Sequence, residues 1–163
     1  MIVVVEGIDR VGKTTLVKKL VKAGFIEMKD EFILKHKFFE NFSDYSLGKC
    51  DSFVAIAKKL NDEGKNVVID RLHITEMVYG KSLRHETRIE GCFALDMELA
   101  NMGAILCYIR PTSIRISNEL AGVDQTERNE LFEHYVNMSS MRKVKGDFDS
   151  LSELASYIIR QTE

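Results

Sequence analysis

Gly7-Ile8-Asp9-Arg10-Val11-Gly12-Lys13-Thr14 follows directly on the apolar run Met1-Ile-Val-Val-Val-Glu6 and precedes Leu16, Val17, Leu20 and Val21, apolar positions at helical spacing. The stretch satisfies Gly-x-x-x-x-Gly-Lys-[Ser/Thr] in the strand-turn-helix context that the pattern requires. Gly7 and Gly12 let the backbone curl tightly enough to aim successive N–H groups at phosphate oxygens, and a helix starting near Lys13 adds its positive end. Lys13 supplies a point charge for the β- and γ-phosphates, and the Thr14 hydroxyl is placed to bind Mg²⁺. ATP with its metal ion is therefore the expected ligand. A glycine-rich turn that binds nothing is the competing reading, and the flanking strand and helix count against it.

Outward from this loop, strand and helix patterns alternate. Phe25 to Met28 reads as a short second strand, Ser52 to Glu63 as a helix with Phe53, Ile56, Ala57 and Leu60 on one face, and Asn66 to Asp70 as a third strand. Helices are expected over Thr75 to Leu83 and Glu86 to Asn101, a strand over Ala104 to Ile109, and a helix around Leu131, Phe132, Tyr135 and Val136. Val144 to Phe148 reads as a weak edge strand, and Leu151, Leu154, Ala155, Ile158 and Ile159 mark a final amphipathic helix. Continuous β-branched runs suit strands buried on both faces of a parallel sheet. The expected fold class is α/β, a P-loop NTPase with three αβα layers around a mainly parallel five-stranded sheet. Ligands bind such sheets beyond the carboxyl ends of the strands, here Glu6, Met28, Asp70, Ile109 and Phe148.

The 163 residues suit one domain, 1–163, with no linker or internal repeat to divide it. Hydrophobic residues make up 45% and there is one Pro, which excludes collagen-like and disordered classes. Lys plus Arg number 23 against 25 Asp plus Glu, a net charge of −2 that argues against a broadly basic nucleic-acid binder. No apolar run is long enough to span a bilayer, and no secretory signal is visible. Three widely spaced cysteines, Cys50, Cys92 and Cys107, suit reduced thiols in a cytoplasm rather than a disulfide framework. The four histidines are scattered, not paired at zinc-ligand spacing.

What becomes of the γ-phosphate depends on other residues. The third strand ends Val68-Ile69-Asp70-Arg71, with a cation where a mechanical ATPase carries a water-activating Glu, and no Asn-Lys-x-Asp guanine-reading string occurs. Asp70 can face the Mg²⁺ shell while Arg71 contacts a second phosphate, as transfer between two phosphorylated ligands requires. The other reading is an Asp–Arg pair that merely ends a strand.

Val4-Val5-Glu6-Gly7-Ile8-Asp9-Arg10-Val11-Gly12-Lys13-Thr14-Thr15 resembles the opening of thymidylate kinases. Asp70-Arg71-Leu72-His73-Ile74-Thr75-Glu76-Met77-Val78-Tyr79 resembles their Asp-Arg-[aromatic]-x-x-Ser-x-x-Ala-[aromatic] segment. The likeness covers these blocks and the order of elements, and it implies a compact nucleoside monophosphate kinase, of cellular or viral type, that passes the γ-phosphate of Mg-ATP to a deoxynucleotide. By this resemblance Asp9, Arg10 and Lys13 form the catalytic group. Asp9 meets the acceptor's 3′-hydroxyl and Arg10 is the loop arginine that reaches the transferring phosphoryl. Gly7, Gly12, Lys13, Thr14 and Thr15 hold ATP, Arg115 stacks on adenine, and Thr14 and Asp70 attend the metal. Asp70 and Arg71 belong to the acceptor site, where Arg71 grips the acceptor phosphate and Tyr79 packs on its sugar or base. The family also tends to pair through helices, which implies a homodimer. Location in the cytoplasm, a host's if the chain is viral, goes with that reading.

The acceptor region is expected at about 29–50 and 71–90, and the lid at about 115–128. Within the lid, Asn118 to Thr126 contains no Lys or Arg, which agrees with the subclass that carries its arginine in the loop. The stretch Lys35 to Tyr45 offers Phe38 and Phe39 as base-stacking residues, and equally reads as core helix and loop. Strand two lacks the Arg-Glu-Pro turn of many thymidylate kinases, Leu72 replaces an aromatic and Thr75 a Ser, so dTMP and a broader set of deoxynucleoside monophosphates both stay open. The alternative is a deoxynucleoside kinase with Glu27 as carboxylate base for a 5′-hydroxyl.

Overall fold

The computed structural model describes residues 1–29, 42–81, 89–112 and 125–163, of which 42–47 and 125 are described by backbone alone. Ile2–Glu6 forms β1, and each of its five residues is buried. That full burial follows from its place: β1 lies between β3 (Val67–Asp70) and β4 (Ile105–Arg110), with helices on both sheet faces. β2 (Ile26–Glu27) and β5 (Arg142–Asp147) take the edges, giving the order β2-β3-β1-β4-β5 with every pairing parallel. Parallel neighbours need crossovers, and the helices supply them.

α1 (Lys13–Lys22) buries Leu16, Val17 and Leu20 and packs beside the C-terminal helix. α2 (Phe42–Asp62), α3 (His73–Tyr79), α4 (Ile89–Asn101) and α5 (Gln125–Met138) pack among one another. A 3₁₀ turn, Phe148–Ser150, joins β5 to α6 (Leu151–Arg160), whose Leu151, Leu154, Ala155 and Ile158 are buried. The edge strand β5 carries Arg142, Lys143 and Lys145 outward, charges that discourage pairing with another sheet.

Several expectations shift. The sheet is wholly parallel. α2 starts at Phe42, not Ser52, because Ser52 does not cap: its hydroxyl donates to the Gly48 carbonyl at 2.8 Å inside the helix. α3 begins at His73 rather than Thr75, and β5 runs Arg142–Asp147, so Phe148 lies in the turn beyond the strand and not in it. Among the described residues no helix is long and apolar enough to cross a membrane.

Candidate active site

The phosphate loop runs from β1 to α1 at the centre of the sheet's carboxyl edge. Gly7 has φ 148°, and a Cβ there would lie 2.6 Å from the Ile109 carbonyl oxygen of β4. Only glycine fits, since neither the backbone conformation nor the neighbouring backbone leaves room for a side chain. Gly7→Ala is expected to lower Tm by about 5–10 °C, read by calorimetry; an unchanged Tm would show that the loop yields freely. Gly12, at φ 104°, is pressed by Leu151 and Phe148, whose atoms would stand 2.8 and 2.9 Å from a Cβ. Gly12 also begins α1, which has no side-chain cap and no acidic residue in its first turn. The positive helix end is thereby left to an anionic ligand.

Arg10, Gly12, Lys13, Thr14, Thr15, Asp70, Arg71 and Phe148 line one cleft of about 240 Å³. Among the described residues, Arg10 and Arg71 are the non-glycine residues with positive φ, 62° and 68°. Such conformations cost energy for a side-chain-bearing residue and persist where the surroundings impose them. Two strained arginines at the mouth of the same cleft belong to the two turns that the sequence patterns single out.

Lys13 is 4% exposed, and its ammonium donates to the Ile8 carbonyl. Burial, then the Arg71 charge, pushes its pKa down to about 8, against the pull of Asp70, Asp9 and Glu6. A triphosphate favours the charged form, so nucleotide affinity is expected to fall about tenfold per pH unit above pH 8. In the ligand-free protein the sign reverses. The folded state binds fewer protons than the unfolded chain between pH 8 and 10.5, so this group's contribution to stability rises with pH there. Calorimetric nucleotide titrations from pH 7 to 9 check the first effect; a flat profile removes Lys13 from the binding equilibrium.

Across the cleft, Arg71 donates to the Asp9 Oδ1 atom, and the Tyr79 hydroxyl donates to Asp9 Oδ2 at 3.3 Å. Burial by itself raises the Asp9 pKa, but the Arg71 guanidinium, with Lys13 and Tyr79, holds it below the ordinary value. For Asp70 burial wins over Lys13 and Arg71, and its pKa is raised. Asp70 Oδ1 is buried and has no hydrogen-bond partner among the described residues. The orphaned Asp70 oxygen and Thr14, which line the same cleft, offer hard oxygen donors that fit Mg²⁺.

Three contributors were not foreseen. Phe148 comes from the turn after β5, where Asp147 accepts from the Asp149 and Ser150 amides, both at 3.1 Å, and it closes one wall of the cleft. Arg128 of α5 is 7% exposed, and its guanidinium carbon lies 5.1 Å from the Tyr79 ring centroid. Glu6, wholly buried at the end of β1, accepts hydrogen bonds from the turn that carries Arg71. Two residues beyond Arg71, buried His73 contacts Asp96 at 2.8 Å, and Asp96 also accepts from the Ser139 hydroxyl at 2.6 Å and the Ser140 amide at 2.7 Å. Of the expected residues, Arg115, Phe38 and Phe39 lie outside the described residues, as do most of the candidate lid and parts of the acceptor region.

Comparison by sequence finds no matching family model and no matching curated protein. Comparison of structure is informative. YorR protein from Bacillus subtilis, solved in complex with phosphorylated GDP, superposes with a TM-score of 0.70 at 20% identity, over 100% of this chain and 96% of that one. The chain has the P-loop NTPase fold, three αβα layers around a parallel sheet. Deoxyadenosine kinase from M. mycoides with bound dATP matches at TM-score 0.61 and 16% identity, covering 99% of this chain and 98% of the other. Thymidylate kinase from Candida albicans matches at 0.51 and 15%, covering 98% and 91%. At these identities the likeness is one of fold, and in open parallel sheets of this kind ligands bind beyond the carboxyl ends of the strands, the edge where the cleft lies.

Proposed function

We propose that this protein transfers the γ-phosphate of Mg-ATP to a deoxynucleoside monophosphate, dTMP or a broader set, giving the diphosphate. The carrying observation is that two cations from different turns, Lys13 after β1 and Arg71 after β3, face one cleft. One phosphate chain needs the loop and Lys13; a second, separately held cation suits a second phosphate.

In this reading an oxygen of the acceptor phosphate bonds to the γ-phosphorus while the bond from that phosphorus to the β,γ-bridging oxygen breaks, and ADP leaves. The attacking oxygen carries no proton that must be removed, so no strong base is required. Catalysis rests on alignment and charge. Gly7, Gly12, Thr15 and the start of α1 hold the donor phosphates, Lys13 and Arg10 neutralise the transferring group, and Arg71 holds the acceptor in line. Thr14 and Asp70 would hold Mg²⁺, which supplies charge neutralisation of the donor phosphates. Asp9 meets the acceptor sugar, Tyr79 packs on its sugar or base, Phe38 and Phe39 stack on the base, and Arg115 stacks on the adenine. We place the whole chain in one catalytic domain, as a homodimer in the cytoplasm, where its three buried cysteines stay reduced.

A second reading has one observation behind it. Glu27 ends β2, and its charge acts on Asp70, so it is the carboxylate that a nucleoside kinase reading would use as the base for a 5′-hydroxyl. A coupled ADP-release assay with ATP and a panel of nucleoside monophosphates, run beside thymidine and deoxyadenosine, separates the two. ADP release that depends on a monophosphate is expected; turnover with nucleosides alone sinks the first reading in favour of the second.

A further inference from the structure

Arg71 sits at φ 68°, in a conformation that favours glycine, yet its side chain is the one that reaches across the cleft to Asp9. Something must hold that turn. The neighbouring strand β1 contributes one bond, from the Arg71 amide to the Val5 carbonyl at 2.9 Å. The rest comes from Glu6. Its side chain is fully buried, and its carboxylate acts only as acceptor. Oε1 accepts from the Leu72 amide at 2.8 Å and from the Thr75 amide at 3.3 Å, and Oε2 accepts from the Thr75 hydroxyl. Leu72 begins α3 without a side-chain cap of its own, so Glu6 caps that helix from the neighbouring strand.

We propose that Glu6 and Thr75 are positioning residues for Arg71. The Glu6 carboxylate, through the Leu72 amide and both donors of Thr75, imposes the left-handed turn that carries the Arg71 guanidinium into the cleft. A buried carboxylate is costly unless its oxygens are satisfied, and here the donors that satisfy it belong to the turn that precedes and starts α3. Because β1 leads straight into the phosphate loop, the same residue ties the donor loop to the acceptor turn. The inference rests on the reading of Arg71 as the acceptor's cation, and it adds the groups that hold Arg71 in place.

The test uses Thr75→Val, nearly isosteric but without the hydroxyl, beside Thr75→Ser, which keeps it. Glu6→Gln is the third variant. Its amide oxygen still accepts from both backbone amides, and its amide NH₂ donates to a Thr75 hydroxyl that turns to accept. Thr75→Val is expected to raise the acceptor KM about tenfold while the Mg-ATP KM stays within about twofold. Thr75→Ser and Glu6→Gln are expected to stay within about threefold of wild type on both. A crystal structure of Thr75→Val is expected to show Arg71 at negative φ and parted from Asp9. Equal rises in both KM values, or Arg71 at unchanged φ with an unchanged acceptor KM, would overturn the proposal. The backbone readout needs no turnover. If the wild-type protein proves inactive with every monophosphate, it is the reading of function that fails, and the Arg71 conformation still decides this one.

Discussion

Arg10→Ala is expected to cut turnover about a thousandfold while changing Mg-ATP affinity less than about threefold, because an arginine aimed at the transferring group acts mainly in the transition state. Arg10 lines the cleft together with Lys13 and Arg71 and occupies a left-handed conformation inside the loop. The loop has already accepted the strain of a side chain at that position, and Ala keeps that backbone demand while deleting the guanidinium. Steady-state kinetics beside calorimetric ATP titration give the two numbers. Losses of equal size in turnover and affinity would assign Arg10 to ground-state binding instead. Lys13 alone does not fill the same role, since in the ligand-free protein its ammonium is occupied with the Ile8 carbonyl at the floor of the loop.

Arg71→Ala is expected to lower kcat/KM for the acceptor about a hundredfold, with a raised acceptor KM and a reduced rate. A charge-assisted contact to phosphate is worth roughly 1.5–3 kcal/mol, and loss of alignment adds to it. The substitution also removes the partner that holds Asp9 below its ordinary pKa and one of the charges that depresses Lys13. Both groups should then titrate closer to their usual values, so the nucleotide-affinity profile of the variant is expected to move to higher pH. An unchanged acceptor response would rule out Arg71 as the acceptor's cation.

The phosphate loop was legible because its eight residues are consecutive and their chemistry is local: glycines where the backbone must turn, then a cation, then a hydroxyl. The strands were legible for a related reason, since a strand covered on both faces must be apolar throughout, as Ile2 to Val5 and Val67 to Ile69 are. What stayed hidden depends on contacts between distant segments. Glu6 reads as the polar end of a strand, and nothing local says that its oxygens face the Leu72 and Thr75 donors. Phe148 reads as the last residue of an edge strand until the Asp147 cap turns it toward Gly12. Arg128 follows a stretch without cations, and only the packing of α5 on α3 sets it over Tyr79. The apolar face of Phe53, Ile56, Ala57 and Leu60 marks only the later part of α2, and the earlier turns from Phe42 carry no comparable local pattern.

The contact of Phe148 and Leu151 with Gly12 has a bearing on assembly during synthesis. The phosphate loop leaves a ribosome well before Phe148 and Leu151, which supply one side of it. A nascent chain therefore has the loop sequence long before it has a walled cleft, and nucleotide should begin to protect it from protease only once the segment through α6 has emerged and docked. Occupancy of the loop would in turn tighten α6, so hydrogen exchange along Leu151–Arg160 should report on phosphate binding at a distance from the phosphates themselves.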